Sequence, residues 1–150
     1  MRVSFIENTV RLQERRLTRR VEEIWREIGE GGLPSWGEMK ADRFGEDWRY
    51  CFGVDLSLSE KAPYFLYLGE GLEQAADAWT NSPGGAERAV IDLVGDRLDV
   101  LALERKAQRF GGGVNLSNGR RMVFRGVVLP LSENGEDITH AFGAANCRFL

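Results

Sequence analysis

Apolar positions near the start of the chain recur at the three-, four- and seven-residue spacing of an α-helix. Asn8 or Thr9 can cap this helix, because a side-chain oxygen there accepts a hydrogen bond from a free backbone N–H. The helix is expected to end near Glu30, before two glycines and a proline. Its apolar stripe consists of Ile6, Val10, Leu17, Val21, Ile24 and Ile28. The opposite side mixes Arg and Glu, which can pair three or four residues apart.

The middle of the chain mixes strand and helix patterns. Segments dense in aromatic and β-branched residues predict strands over Trp48–Leu56 and Pro63–Leu68. A short helix is expected over Met39–Phe44, and apolar residues on one face predict another over Gly69–Trp79. Beyond a break rich in Gly and Pro, Ala86–Leu103 predicts the longest helix of this region.

The last third of the chain predicts three strands, over Lys106–Leu116, Arg120–Leu131 and Glu136–Cys147. Asn118-Gly119 and Asn134-Gly135 separate them, and Asn-Gly favours tight hairpin turns because both central residues need positive φ. The three strands therefore form an antiparallel meander.

Two-residue turns at both places would fix the register of this meander. Val114 would then face Val123, Leu131 would face Ile138, and Leu129 would face His140. Together, the elements predict an α+β domain with one five-stranded antiparallel sheet. The helices between its strands cover one face, and an amphipathic helix precedes it.

This order of elements resembles that of a PAS domain, and local sequence adds to the resemblance. Trp48–Leu56 followed by Pro63–Glu70 resembles the first two strands of a small bacterial PAS family, and Val127–Gly135 followed by Phe142–Asn146 resembles the end of its meander. The resemblance covers Leu33–Asn146. It implies a helix over residues 1–32, a PAS-like domain over 33–147 and a tail over 148–150.

PAS domains share a fold and differ in ligand, so the resemblance implies little about function. Members bind haem, flavin, small metabolites or nothing, and many dimerise through a helix that precedes the first strand. The stripe of the first helix fits that role, and the alternative is that it folds back on its own sheet. The expected dimer contacts are Val10, Leu17, Val21, Ile24 and Ile28.

A PAS cavity lies between the sheet and its intervening helices. The residues expected to line it are Cys51, Tyr67, Trp79, Ile91, Phe124, Arg125 and His140. Arg125 and Cys51 would supply polar groups to a ligand. The alternative is that these side chains fill the core, in which case no ligand needs them.

The final residues, Asn146–Leu150, resemble the NCRFL segment of LOV photoreceptors, the flavin-binding relatives of PAS domains whose Cys adds to the flavin. In LOV domains this segment opens a helix in the first half of the domain, before the strands that contact the flavin. Here it follows the last strand. We therefore expect no flavin photochemistry at Cys147.

Composition narrows the remaining chemistry. The 150 residues are 43% apolar and 29% charged, with a net charge of −3, which gives no general attraction to nucleic acid. Two cysteines without a CxxC pair and a single histidine disfavour a metal site or a catalytic triad. The N-terminus lacks the apolar run of a signal peptide, so a cytoplasmic protein that does not bind membranes is expected.

The sequence thus predicts a non-enzymatic PAS module in bacterial signalling or regulation. It would act through protein–protein contacts as a homodimer, with a signalling partner that remains unidentified. The alternative is a sensor whose cavity binds a small ligand or cofactor, such as a metabolite, haem or flavin. Neither the cofactor nor the ligand follows from the sequence.

Overall fold

The computed structural model describes residues 17–60, 63–72, 86–115 and 119–149. The predicted helix caps Asn8 and Thr9, the interface residue Val10 and the pocket residue Trp79 lie outside these ranges. None of the described helices is long and apolar enough to cross a membrane.

The described helices end close to the residues at which the sequence pattern predicts that they end. In the described chain α1 occupies residues 17–29, and the chain leaves it with Gly31 at a φ of 88°. The short helix α2 (Ala41–Phe44) lies between two 3-10 helices, Trp36–Glu38 and Gly45–Tyr50. The long helix α3 is Ala86–Glu104, one residue longer than predicted.

Five strands follow the predicted order. They are β1 (Cys51–Asp55), β2 (Tyr64–Leu68), β3 (Gln108–Asn115), β4 (Arg121–Leu131) and β5 (His140–Phe149). Neighbouring strands pair antiparallel in the order β2-β1-β5-β4-β3. The expected α+β fold with a PAS-like five-stranded antiparallel sheet is therefore confirmed.

The predicted register of the meander was wrong in detail. Leu131 faces His140 and Leu129 faces Phe142, a shift of two residues from the prediction. The connection from β4 to β5 covers residues 132–139, because the Asn134 side chain accepts hydrogen bonds from the N–H groups of Glu136 and Asp137 and builds a wider turn.

The β3–β4 hairpin is also wider than two residues. Val114 faces Met122 instead of Val123, since residues 116–120 connect the strands. Gly119 has the positive φ that its turn predicts, 83°. At the far end, β5 continues through Arg148 and Phe149, which the sequence analysis assigned to a tail.

Each face of the sheet packs against a different helix, because side chains alternate along a strand. On one face, here the α3 face, Phe124 and Val128 of β4 pack with α3 residues such as Leu98. On the other, the α1 face, Val127 and Leu129 of the same strand pack with α1. The central strands are therefore buried on both sides.

The described part of the apolar stripe, from Leu17 to Ile28, packs on the chain's own sheet. Leu17 and Val21 are buried, and Ile24 and Ile28 pack partly buried against the same core. Trp25 is also buried, and its Nε1 donates a hydrogen bond to the carbonyl oxygen of Pro130 at 3.0 Å. These contacts match the fold-back alternative for the stripe, so Leu17 and Val21 are not available to a second copy.

Polar contacts hold both sides of α1. The Arg20 guanidinium donates to both carboxylate oxygens of Asp47, at 2.7 and 2.8 Å. On the other side, buried Glu22 accepts from Arg109 of β3 at 3.1 Å and pairs with Arg26 at 2.8 Å. Because exposed ion pairs add little free energy, these contacts mainly fix how α1 lies on the sheet.

Replacing Val21 tests this packing. Val21→Ala removes two buried methyl groups and leaves a cavity, so we expect a loss of about 2 kcal/mol in the free energy of unfolding. The matched control is Leu103→Ala at an 84% exposed position, with an expected change within about 0.5 kcal/mol. Urea denaturation at two protein concentrations measures both. A Val21→Ala effect that vanishes on dilution would place the stripe between chains instead.

Candidate functional site

The residues expected to line a PAS cavity do not meet at one place. Phe124 lies on the α3 face, whereas Cys51 belongs to the core of the α1 face. Arg125 also points to the α1 face, because it is two residues from Val127 on the same strand. His140 shares that face with Phe142. The predicted pocket therefore divides between the two sides of the sheet; Ile91 lies in α3, and its side chain is not among those described.

On the α3 face, aromatic rings lie directly on the sheet. A Cβ built on Gly143 of β5 would come within 2.2 Å of the Phe52 ring. A Cβ on Gly126 of β4 would come within 2.3 Å of the Phe110 ring. Two glycines thus admit two phenyl rings against the backbone of the sheet.

Cys51 is a packing residue on the α1 face. Its side chain is fully buried, and its Sγ donates a hydrogen bond to the carbonyl oxygen of Asp47 at 3.3 Å. Burial, with a smaller contribution from the Asp47 charge, raises the pKa of the thiol well above its usual range. A thiol held in this form is a poor nucleophile and a poor metal ligand.

Tyr67 is held in the same neighbourhood by aromatic contacts. Its hydroxyl donates to the carbonyl oxygen of Trp48 at 2.9 Å, and the two rings meet edge to face with centroids 4.5 Å apart. Trp48 in turn stacks on Phe142, and the ring of Trp36 occupies the space beside Gly53. These rings fill the α1 face, so Tyr67 and Cys51 contribute to the core.

His140 lies at the end of β5 between two carboxylates. Its Nε2 is 3.8 Å from Asp55 Oδ2, its Nδ1 is 3.6 Å from Glu133 Oε1, and its Nδ1 is 2.9 Å from the Thr139 hydroxyl. A hydrogen bond from the Ser57 hydroxyl, more than the imidazole, lowers the pKa of Asp55. Within the described residues no three His, Cys, Asp or Glu side chains form a group able to hold a metal.

A groove of about 800 Å³ runs along β3, and the sequence analysis did not anticipate it. The arginines that line it come from α1, α3, β3 and β4, and we call it the arginine groove: Arg19, Arg97, Arg109, Arg121 and Arg125, with Gly111, Gly112 and Gly113 as its floor. None of the described residues that line it is Asp or Glu. The groove is thus rich in arginine on a protein of net charge −3.

The three glycines of β3 allow the arginines to reach the groove. A Cβ on Gly113 would meet the Arg121 guanidinium at 2.6 Å, and one on Gly111 would meet the Arg125 stem at 3.5 Å. Arginines of β4 therefore lie across β3, where side chains of an ordinary strand would stand. The Gly-Gly-Gly run is the feature of the sequence that points to the arginine groove. From the sequence alone it indicated only that the strand bends or that another backbone or a ligand comes close.

Comparisons with known proteins add little. No described protein family and no curated protein matches the sequence. Among solved structures, a fungal LOV-domain photoreceptor is 17% identical over 64% of this chain and 72% of its own, with a TM-score of 0.40. A LOV protein of Rhodobacter sphaeroides is 15% identical over 85% of this chain and 67% of its own, with a TM-score of 0.41. Likenesses this distant carry no argument about a ligand.

Substituting a glycine under one of the phenyl rings tests whether the α3 face is filled. Gly126→Ala places a methyl group against the Phe110 ring and within 2.7 Å of the Ala144 carbonyl oxygen. We expect a loss of about 3 kcal/mol or more in the free energy of unfolding.

The matched control is Gly37→Ala, where a Cβ meets nothing within 4 Å. Chemical denaturation of both variants gives the comparison, and we expect a near-neutral effect at Gly37. A tolerated alanine at position 126 would mean that open space, and not an aromatic ring, lies above this glycine.

The reactivity of Cys51 provides a separate test. In a Cys147→Ser background, the Cys51 thiol should react with a disulfide reagent more than about a hundredfold more slowly in the folded protein than in urea. The reason is that both its burial and its raised pKa suppress the thiolate. Rapid reaction under native conditions would contradict its assignment to the core.

Proposed function

We propose that this chain is a non-enzymatic PAS-like module that acts in bacterial signalling or regulation through contacts with other macromolecules. The observation that carries the proposal is the packing of Phe52 on Gly143 and of Phe110 on Gly126. These rings occupy the face where PAS domains that bind a cofactor hold it. The arginine groove, by contrast, opens to solvent at the sheet edge.

The side-chain chemistry supports a role without catalysis. Catalytic groups need to be within hydrogen-bond reach of each other and of a substrate site. Cys51 is buried and does not line the arginine groove, and His140 lies near two carboxylates at the start of the central strand β5, two strands away from β3. A function in the cytoplasm stays a prediction from the sequence.

The position of the NCRFL segment also favours a role without flavin. The backbone of Cys147 pairs with that of Phe124 in the last strand pair of the chain, within β5. A LOV cysteine would instead precede the strands that contact the flavin. We propose that this likeness of five residues has no photochemical consequence.

We still propose a homodimer, but its contact surface is not the α1 stripe that the sequence predicted. The exposed side of α1 carries charged residues, since its stripe packs on the sheet. Leu58, Tyr64 and Leu66 are 56%, 50% and 42% exposed around β2, the strand at the other edge from β3. We propose these three side chains as part of the surface between two copies, because exposed apolar side chains on or beside an edge strand are typical of interfaces.

Native mass spectrometry of the protein as purified from cells tests two parts of the proposal, the homodimer and the role without a cofactor. We expect the mass of two chains with no further mass, and a shift to single chains in Leu66→Glu but not in Leu103→Glu. Leu103 is the control because it is also an exposed leucine, on α3. A small molecule released on denaturation would contradict the module without a cofactor.

Absorption spectra provide a direct check on the flavin alternative. The purified protein kept in the dark and the same protein after blue light should give identical spectra above the aromatic band. A band in the flavin region that bleaches in light and is lost in Cys147→Ser would contradict the proposal.

One observation favours the second candidate function, a small-ligand sensor. The volume of the arginine groove, about 800 Å³, lies within the range of small-molecule sites. Such a ligand would be anionic and would bind at the sheet edge instead of in a PAS-type cavity. The released mass in the same mass-spectrometry experiment distinguishes this candidate from the first.

A further inference from the structure

We propose that the arginine groove binds an extended acidic segment of a partner protein, which pairs with β3 as an added strand. The proposal names the partner class for the function above and rests on it in one respect, since it takes the partner to be a protein. Two features support it: the backbone N–H and C=O groups at the outer edge of β3, and the spacing of the arginines along that strand.

The outer edge of β3 is open in the described part of the chain. β3 is the last strand of the sheet and pairs only with β4. Edge strands usually carry charged side chains, prolines or bulges that prevent pairing with other chains. At Gly111, Gly112 and Gly113 the backbone is exposed and no side chain of β3 stands in the way. An extended peptide can therefore approach the N–H and C=O groups of this edge.

The arginines follow β3 at the spacing of a strand. Arg109, the Arg125 stem beside Gly111 and the Arg121 guanidinium over Gly113 all lie on the α1 face. These three β3 positions are two residues apart, and they span about 14 Å at about 3.4 Å per residue. Alternate side chains of a strand paired with β3 have the same spacing. Asp or Glu at every second position would thus meet one arginine each.

Two arginines of the groove have different kinds of partner within the chain. Arg109 pairs with Glu22 at 3.1 Å, and Arg121 donates to the neutral side chain of Asn115 at 3.4 Å. On the α3 side, Arg97 Nε is buried and has no hydrogen-bond partner among the described residues. A buried donor without an acceptor is costly, but Arg97 is on the α3 side, so the carboxylates proposed for the α1 face do not meet it.

The groove suits a peptide better than the other anions. Proteins that bind single-stranded nucleic acid stack bases on exposed aromatic rings, whereas the two rings that line this groove, Phe110 and Phe124, are 6% and 1% exposed. A small phosphate compound would favour guanidinium groups that converge on one point. Here the arginines extend along a strand.

Fluorescence anisotropy with two labelled ten-residue peptides tests the proposal on the full chain. One peptide alternates Glu and Val, and the other has the same composition with all Glu residues in one block. We expect the alternating peptide to bind at least about tenfold more tightly at low salt, and to weaken as salt is added, because exposed charge pairs are screened.

Charge reversal locates the binding site. Arg121→Glu should weaken binding of the alternating peptide at least about tenfold, since Arg121 is exposed and lies over the strand edge. Lys40→Glu is the control, because Lys40 is equally exposed but lies outside the groove. Circular dichroism checks that both variants fold, and Arg121→Gln replaces Arg121→Glu if the reversal prevents folding.

Amide hydrogen exchange separates strand pairing from simple charge attraction. Bound alternating peptide should slow exchange at one or more of Gly111, Gly112 and Gly113, since pairing hydrogen-bonds edge amides. Equal affinity for the blocked peptide without slower exchange would overturn the proposal. Tighter binding of pyrophosphate or of an oligothymidine strand, or no binding of either peptide, would overturn it as well.

The outcomes of this test are distinct from those of the proposed function. A ligand found in the purified protein would contradict the proposal that the module binds no cofactor. The affinity of β3 for the peptide is measured separately, by fluorescence anisotropy. Failure of the peptide to bind a protein that carries no ligand would contradict only the inference about β3.

Discussion

The structure depends on the burial of β4 and β5 on both faces. Val127 and Leu129 pack against α1, and Phe124 and Val128 of the same strand pack against α3. Antiparallel sheets often leave one face to solvent, and their strands then alternate apolar and polar residues. In β4 the run from Val127 to Leu131 is instead continuously buried. Neither helix can leave without exposing buried apolar side chains of these strands, so both are integral to the fold.

This constraint determines which surfaces remain for function. The described residues of the α1 stripe, Leu17, Val21, Ile24 and Ile28, pack on one face of the chain's own sheet. On the other face, Phe52 and Phe110 lie on glycines of the central strands. Among the described residues, two further surfaces lie at the edges of the sheet: the exposed apolar side chains around β2 and the arginine groove at β3. The two edge strands therefore carry different side chains on their surfaces: exposed apolar residues at β2 and arginines at β3.

Much of the fold could be predicted from the sequence, because periodicity and Asn-Gly turns report local structure directly. The long helix and all five strands lie within a few residues of their predicted bounds. The register failed where Asn134 caps a wider loop through its side chain, a choice that the Asn-Gly pair does not reveal. The predicted pocket residues divide between two faces for a different reason: Phe124 and Arg125 are neighbours on β4, so their side chains point to opposite sides of the sheet. The arginine groove combines side chains from four elements, and no local pattern indicates such a combination.

Hydrogen exchange at individual amides tests the burial of the sheet most directly. If both helices cover the sheet, the amides of Val127 and Leu129 should open only by global unfolding, and their exchange free energies should equal the free energy of unfolding from urea denaturation. The slowest of Gly111, Gly112 and Gly113 should exchange through smaller openings at the edge. Exchange at Val127 as fast as at these glycines would contradict the account, because it would mean that α1 does not stay on the sheet.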